Sequence, residues 1–395
     1  MKTSISNSNQ LVEPSDAGLN ADALTCLDAV IQSYIDNGDN YGASIIIARG
    51  GKIGHQKTFG TVAPERATAH DDIFMTMSLA KSYTAALVLR AIDQGRFTLD
   101  TKIDSLIPGF AQGGKQEVTV QMLLTHTAGV YNLIALPPPH PLAENGILRK
   151  TVEIAKITPA TYKPGTACAY TPMAGINTLG WLLVVTDPKG RQFRDIAHED
   201  LFEPLGMVNS SFGIDPKNPR RVPMSYTPKR TVPTTPQVVA MLEAISLGDA
   251  EMPSGGGHSS STDVFRFADT MRQRGSSNGY RLISPALFEY AAKNHTGDMV
   301  NGAWVSACLA EGRPPYRANF SLLGGYCRDK GDYLTPMGYT ASPRAIGAMG
   351  GGSTMWMVDP ERDLTIAFLS AGFIDGLQHT DRCSRINDLA LAACE

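Results

Sequence analysis

Strand-like segments stand at both ends of this 395-residue chain, and that placement restricts the fold more than any other feature. Near the start, Ala43 to Arg49 is largely apolar, Gly50-Gly51 is a two-residue turn, and Lys52 to Phe59 continues as a second strand, which is the pattern of a hairpin. Near the end, Thr354 to Val358 and Leu364 to Ser370 form another pair around the turn Asp359 to Asp363. Between these pairs the periodicity is mainly helical. The expected fold is therefore α+β: an antiparallel sheet built from both ends of the chain, flanked by helices, with a mainly helical domain inserted. The expected limits are 1–75 and 246–395 for the two parts of the sheet domain, and 76–245 for the helical one. A chain of this length exceeds one compact core, which fits two closely packed lobes.

The helices carry readable ends. Leu24, Leu27, Ile31 and Ile35 share one face, and Gly38 follows as a stop. Further helices are expected at Ser78 to Asp93 with Gly95 closing, Val118 to Thr125 with Thr119 as cap, and Ile147 to Ile157. Ile176 to Val185, Val264 to Arg272 (capped by Thr262 or Asp263) and Asp381 to Ala393 complete the set. Residues 1–20 read as a polar, loose arm. The proline-rich stretch 132–165 and the stretch 295–346 are long and irregular, as cleft walls often are. The second carries Trp304, Tyr316, Phe320, Tyr326, Tyr333 and Tyr339; a satellite core under loops is the plainer alternative.

Composition removes whole classes of function. A net charge of −3 with no basic block argues against nucleic acid or an anionic membrane as partner. No run approaches the roughly 18 apolar residues that span a bilayer. The first ten residues lack the apolar centre of a secretory signal, and the six cysteines are scattered without a C-x-x-C pair. Reduced thiols in a cytoplasmic protein are expected, although Cys383 and Cys394 are placed to pair if the chain were exported. The eight histidines show no metal-ligand spacing, so no metal or other cofactor is expected. There is no Gly-x-Ser-x-Gly elbow and no nucleotide-binding glycine pattern. Ser254-Gly-Gly-Gly lacks a following Lys-Ser/Thr and has no clear strand before it, which favours tight backbone packing over phosphate binding.

One constellation remains. Ser78 and Lys81 are three residues apart at the start of an apolar helix, so they share a face and the amine reaches the hydroxyl. A serine hydroxyl is a weak nucleophile until a base takes its proton, and a lysine serves as that base when burial lowers its pKa. Alone, Ser-x-x-Lys is a chance pattern, and a helix cap followed by a solvated lysine is the ordinary reading. His126, beside the turn Thr127-Ala-Gly129, is expected to order that turn. Tyr170 sits at a bend before a helix and gains interest only if it faces Ser78.

The order of motifs decides the matter. Gly42 to Lys52, Phe74 to Ala85, Thr119 to Gly129, Lys163-Pro-Gly with Tyr170, Glu203 to Phe212, Ser254-Gly-Gly-Gly, and Gly350 to Glu361 together resemble the serine β-lactamase and penicillin-binding-protein-like family, on its class C β-lactamase and family VIII esterase side. The resemblance implies a site in the groove between a mixed α/β domain and a helical one. It implies Ser78 as nucleophile, Lys81 as its partner, Tyr170 as proton shuttle, and the N–H groups of Ser78 and Gly351 as oxyanion donors. Met349, His258 and Tyr131 are pocket candidates by their place beside motifs. Two departures bear on function. Pro172 stands where the second motif has asparagine, and Ala348-Met349-Gly350 stands where the third has Lys-Thr-Gly. The first removes an amide that holds amide substrates, and the second removes the cation that pairs with a penicillin-type carboxylate. Ester chemistry survives both losses, since an alkoxide leaves more easily than an amide nitrogen. A small or apolar ester is thus the expected substrate of a carboxylesterase. The alternatives are an acyltransferase in a biosynthetic pathway and a non-catalytic binding protein on the same scaffold.

Overall fold

Strand β1 (Gly42–Arg49) is what brings the two ends of the chain together. It pairs on one side with β2 (Lys52–Ala63), followed by the short β3 (Arg66–Ala67), and on the other with a strand from the C-terminal part. Two tiny sheets lie apart from it: β4 (Phe74–Met75), β5 (Ser211–Phe212) and β6 (Gly257–Ser259), and the hairpin β7 (Ser276–Ser277) with β8 (Tyr280–Arg281). The main sheet is completed by β9 (Tyr326–Cys327), β10 (Ile346–Gly350), β11 (Thr354–Asp359) and β12 (Leu364–Ala371), in the order β3-β2-β1-β12-β11-β10-β9, every neighbour antiparallel. Gly42 lies opposite Ala371 and Arg49 opposite Leu364, so the first strand and the last are in register along their full length. The structure is a computed structural model and describes residues 10–131, 135–227, 235–351, 354–374 and 376–395. The polar residues 1–9, part of the proline-rich stretch, and Gly352 and Ser353 of the glycine run lie outside them.

Both faces of the sheet are covered, which is why β1, β11 and β12 are buried along essentially their whole length and are mostly apolar rather than alternating with exposed polar residues. Side chains still alternate between two cores. Ile45, Ile47, Met357, Ile366 and Phe368 join one core beneath the terminal helices α1 (Ala21–Asp36) and the C-terminal one. Ile46, Trp356, Val358, Ala367 and Leu369 join the other, which extends into the helical layer. That layer is built on α2 (Ala80–Asp93), buried along nearly its whole length and surrounded by α3 (Val120–Leu124), α4 (Leu148–Ile157), α5 (Ala174–Val185) and α6 (Phe193–Ala197). Then come α7 (Pro236–Ala244), α8 (Ser261–Arg272) against β11 and β12, α9 (Pro285–Ala291), α10 (Val305–Ala310) and α11 (Gly376–Ala392).

Several sequence expectations need correction. Residues 10–20 are docked rather than loose: Leu19 is buried, Leu11 bridges to Ile53, and Leu19 bridges to Cys394. The cap of α8 is Ser260, whose side chain accepts from the Asp263 N–H, so the helix begins earlier than Val264. The last glycine of the run before it, Gly257, opens strand β6 between β4 and β5, and it shows the tight packing expected there, since a Cβ on it would lie 2.8 Å from that of Ala80. The expectation for the cysteines needs no correction: all six are free, Cys383 and Cys394 included. Among the described residues no helix is long and apolar enough to cross a membrane.

Candidate active site

Ser78 lies on a 3-10 turn, Met77–Leu79, that runs directly into α2. Met77 has φ +49°, a left-handed conformation that a bulky side chain adopts only when its surroundings hold it there. The restraints are visible at the preceding residue. The Thr76 hydroxyl donates to the Gly257 carbonyl (2.9 Å), its N–H to the same oxygen (2.8 Å), and its carbonyl accepts from the Thr354 hydroxyl (2.7 Å). Strand β10 crosses close over this turn. A Cβ at Gly350 would overlap the Thr76 carbonyl oxygen, so only glycine fits there.

Lys81 is 1% exposed, and its Nζ touches three oxygens: Ser78 Oγ at 3.1 Å, the Pro172 carbonyl at 2.7 Å and the Ser254 carbonyl at 2.6 Å. The Ser254 segment is fixed in turn by its N–H donating to Asn177 Oδ1 at 3.0 Å on α5. Burial lowers the Lys81 pKa to about 7, because the charged amine loses water and gains only neutral dipoles. Three acceptors suit an ammonium. Once deprotonated, the amine keeps two N–H groups for the two carbonyls, and its lone pair is left facing Ser78.

Tyr170 does face the serine: its hydroxyl is 2.5 Å from Ser78 Oγ, and its ring lies 5.2 Å from Lys81 Nζ. Its own N–H donates to Asn301 Oδ1 (3.2 Å), and its ring packs against His126 with centroids 4.7 Å apart. His126 is buried with its Nδ1 accepting the Thr171 N–H at 3.2 Å. Burial and the Lys81 charge push its pKa down to about 3, so it is a neutral spacer that holds the tyrosine in place.

These side chains open onto a cavity of about 310 Å³. Ser78, Tyr170, Met349 and Gly351 all line it, whereas His258 and Tyr131 do not. His258 is buried within the β4-β6-β5 sheet, opposite Met75 and Ser211. Tyr131 is 43% exposed. Met349 and Gly351 alternate along and just beyond β10, while Ala348, at the place of the third motif's lysine, is packed into the core opposite Trp356. No lysine or arginine is found among the described residues lining the cavity. The aromatic stretch divides: Trp304 and Tyr326 line the cavity, Phe320 packs on His126, and Tyr316 with Tyr333 forms a separate small core.

A larger groove of about 930 Å³ runs between α8, α9 and β10. It contains none of this chemistry, so the residues rather than the volume identify the site. Sequence reasoning missed the two carbonyls on Lys81, since a backbone oxygen leaves no mark on residue type. It also missed Val238 and Leu242 on the wall, although Thr235-Pro236 is a cap and first-turn signal that announces α7.

Known proteins place the chain. Penicillin-binding protein 4 of Amycolatopsis lactamdurans is 26% identical over 307 residues, covering 75% of this chain and 77% of that one. Esterase EstB of Burkholderia gladioli is 27% identical over 219 residues, 51% of this chain and 55% of its own. Among solved structures, EstCE1, described as a hydrolase with promiscuous acyltransferase activity, superposes with a TM-score of 0.73 at 19% identity, over 93% of this chain and 98% of that one. The family model described as Beta-lactamase matches residues 27–387, nearly the whole length, and the chain belongs to that family.

Proposed function

We propose that the protein is a serine esterase that accepts the acyl group of a small or apolar ester on Ser78. The observation that carries this reading is the convergence of Tyr170 and a buried, charge-unpaired Lys81 on one serine oxygen. The Lys81–Tyr170 pair shares a proton and takes another from Ser78 as Oγ bonds to the ester carbonyl carbon. The N–H groups of Ser78 and Gly351 receive the developing oxyanion. The C–O bond to the alcohol breaks, and the same pair returns the proton to the alkoxide. Water then attacks the acyl-enzyme and restores Ser78. An ester is favoured over a penicillin-type amide because Pro172 and Ala348 supply neither an amide side chain nor a cation.

Acyl transfer to an alcohol is the second reading. It is supported by the apolar wall of Trp304 and Tyr326 beside Tyr170, which suits an organic acceptor better than water, and by the likeness in fold to EstCE1. The test is rapid-quench kinetics with p-nitrophenyl butyrate, with intact-mass measurement of the quenched protein, on wild type and Ser78→Ala. A burst and a butyryl-sized mass increment in wild type alone are expected. An equal increment on Ser78→Ala, or none on either with any activated ester, would remove the esterase reading. Added alcohols that accelerate turnover would select transfer over hydrolysis.

A further inference from the structure

The cavity has two unlike flanks. Tyr170 belongs to a cluster with Cys168, Ala318, Phe320 and Tyr326. On the other flank Met75, Ile245 and Met252 form a separate apolar cluster against which Met77, Met224 and Leu242 pack. Met77 adjoins the nucleophile, and Met77, Met252, Leu242 and Ile245 all reach the cavity wall. This second flank is therefore a methionine-rich chamber lying under α7.

The chemistry assigns the flanks. The alcohol leaving group must be protonated by the Tyr170–Lys81 pair, so it lies on the Tyr170 side. The acyl tail, on the other substituent of the same carbonyl carbon, is left with the methionine side. We infer that the chamber holds an apolar acyl chain of medium length, and that Met252 sets the longest chain it admits; this rests on the ester chemistry proposed for Ser78. Met252 is 4% exposed and its backbone is held in place, its carbonyl accepting from the Gly255 N–H at 3.1 Å and the Gly256 N–H at 2.8 Å. Only its thioether end can move. Methionine side chains adapt their shape at low cost, so branched as well as straight chains fit. The alcohol and the acyl chain share the cavity of about 310 Å³, so at interior packing density the acyl flank is limited to a chain of about six to eight carbons.

The experiment compares kcat/KM for p-nitrophenyl esters from acetate to decanoate, in wild type, Met252→Ala, Met252→Phe and Leu242→Trp, with circular dichroism as the folding control. In wild type each methylene up to the optimum raises kcat/KM about threefold, and the value falls beyond about eight carbons. Met252→Ala raises the decanoate-to-acetate ratio by about tenfold or more. Met252→Phe lowers it, and Leu242→Trp, approaching from α7, lowers it independently. A Ser78-dependent burst with a preference that peaks at acetate, or that none of the folded variants moves, overturns the chamber while leaving the esterase intact. A second series, butyrate esters of alcohols of increasing length, checks the side: if Met252 variants change alcohol preference instead, the acyl assignment is wrong. Absence of Ser78-dependent acylation throughout removes the esterase reading and this inference with it.

Discussion

On the Ser78 side of the cleft the polar atoms are tightly partnered: Lys81 holds three oxygens, and Tyr170 is tied to Ser78 at its hydroxyl and to Asn301 at its backbone. The facing strand, Ala348 to Gly351, presents a thioether and bare backbone. In the proposed reaction the first side would fix where a proton goes, and the second what is recognised. A change that leaves the first intact and strips charge from the second keeps the reaction type while altering its substrates. That is the pattern seen here, with the first motif whole and the third motif apolar.

The comparison breaks most completely at Lys81. Lys81→Met lowers kcat/KM for an activated ester by about 10³-fold, within the range for loss of a general base, while the KM changes little. The same variant unfolds at a higher temperature. Lys81 is held near pKa 7, against 10.5 when solvated, so from about pH 7 to 10.5 the unfolded chain binds a proton the folded one lacks. Stability from this group therefore rises with pH across that window, and below it the full burial penalty is present. Methionine removes the penalty, and Tm at pH 7 rises by about 1 °C for each kcal/mol recovered in a chain of this length. A variant that is inactive and also less stable would show that Lys81 serves the fold more than the reaction.

The pH profile sharpens the same point. Acylation needs Lys81 deprotonated, so kcat/KM climbs about tenfold per pH unit below pH 7 and levels above it. His126, near 3, and His258, near 4, titrate too far down to produce that limb. A limb that persists unchanged in Lys81→Met would assign it elsewhere.

The join between the two sides is Gly350. Gly350→Ala forces the Thr76 carbonyl and β10 apart, which costs about 1–3 kcal/mol of stability. It also displaces Ser78, and a shift on the order of 1 Å lowers kcat by about 10²-fold. Urea unfolding together with single-turnover acylation measures both. Activity retained in a folded variant would mean that the strand and the nucleophile turn move independently.

How far the sequence could be read follows the same division. Ser78, Lys81 and Tyr170 were legible because spacing and motif order place them, and the sheet was legible because both of its hairpins end in recognisable turns. The lining of the cavity was not. Neither Met252, just before the Ser254 glycine run, nor Leu242 on α7 belongs to a motif itself, and they are brought together only by how α7 lies over the 250s. The aromatic stretch misled in part because composition does not say which ring faces out: Trp304 and Tyr326 reach the cavity, but Tyr316 and Tyr333 close on each other. Position beside a motif proved equally uninformative for His258.

His258 supplies the smallest expected effect on activity, and a useful control. It directly follows the glycine run, yet its ring is buried in the small sheet and its Nδ1 has no hydrogen-bond partner among the described residues. Burial lowers its pKa to about 4 from 6.5. Between those values the unfolded chain binds a proton that the folded chain refuses, so stability falls as pH drops from 6.5 toward 4. His258→Gln removes that titration. Its kcat/KM stays within about twofold of wild type at pH 8, since a group off the cavity wall makes no contact with the ester. Its stability declines less steeply on acidification, by on the order of 2 kcal/mol at pH 4.5. Equal slopes in the two proteins would show that the ring is more solvated than its packing indicates. A large loss of activity in a fully folded variant would return His258 to the site and place part of the recognition behind the glycine run instead of on β10.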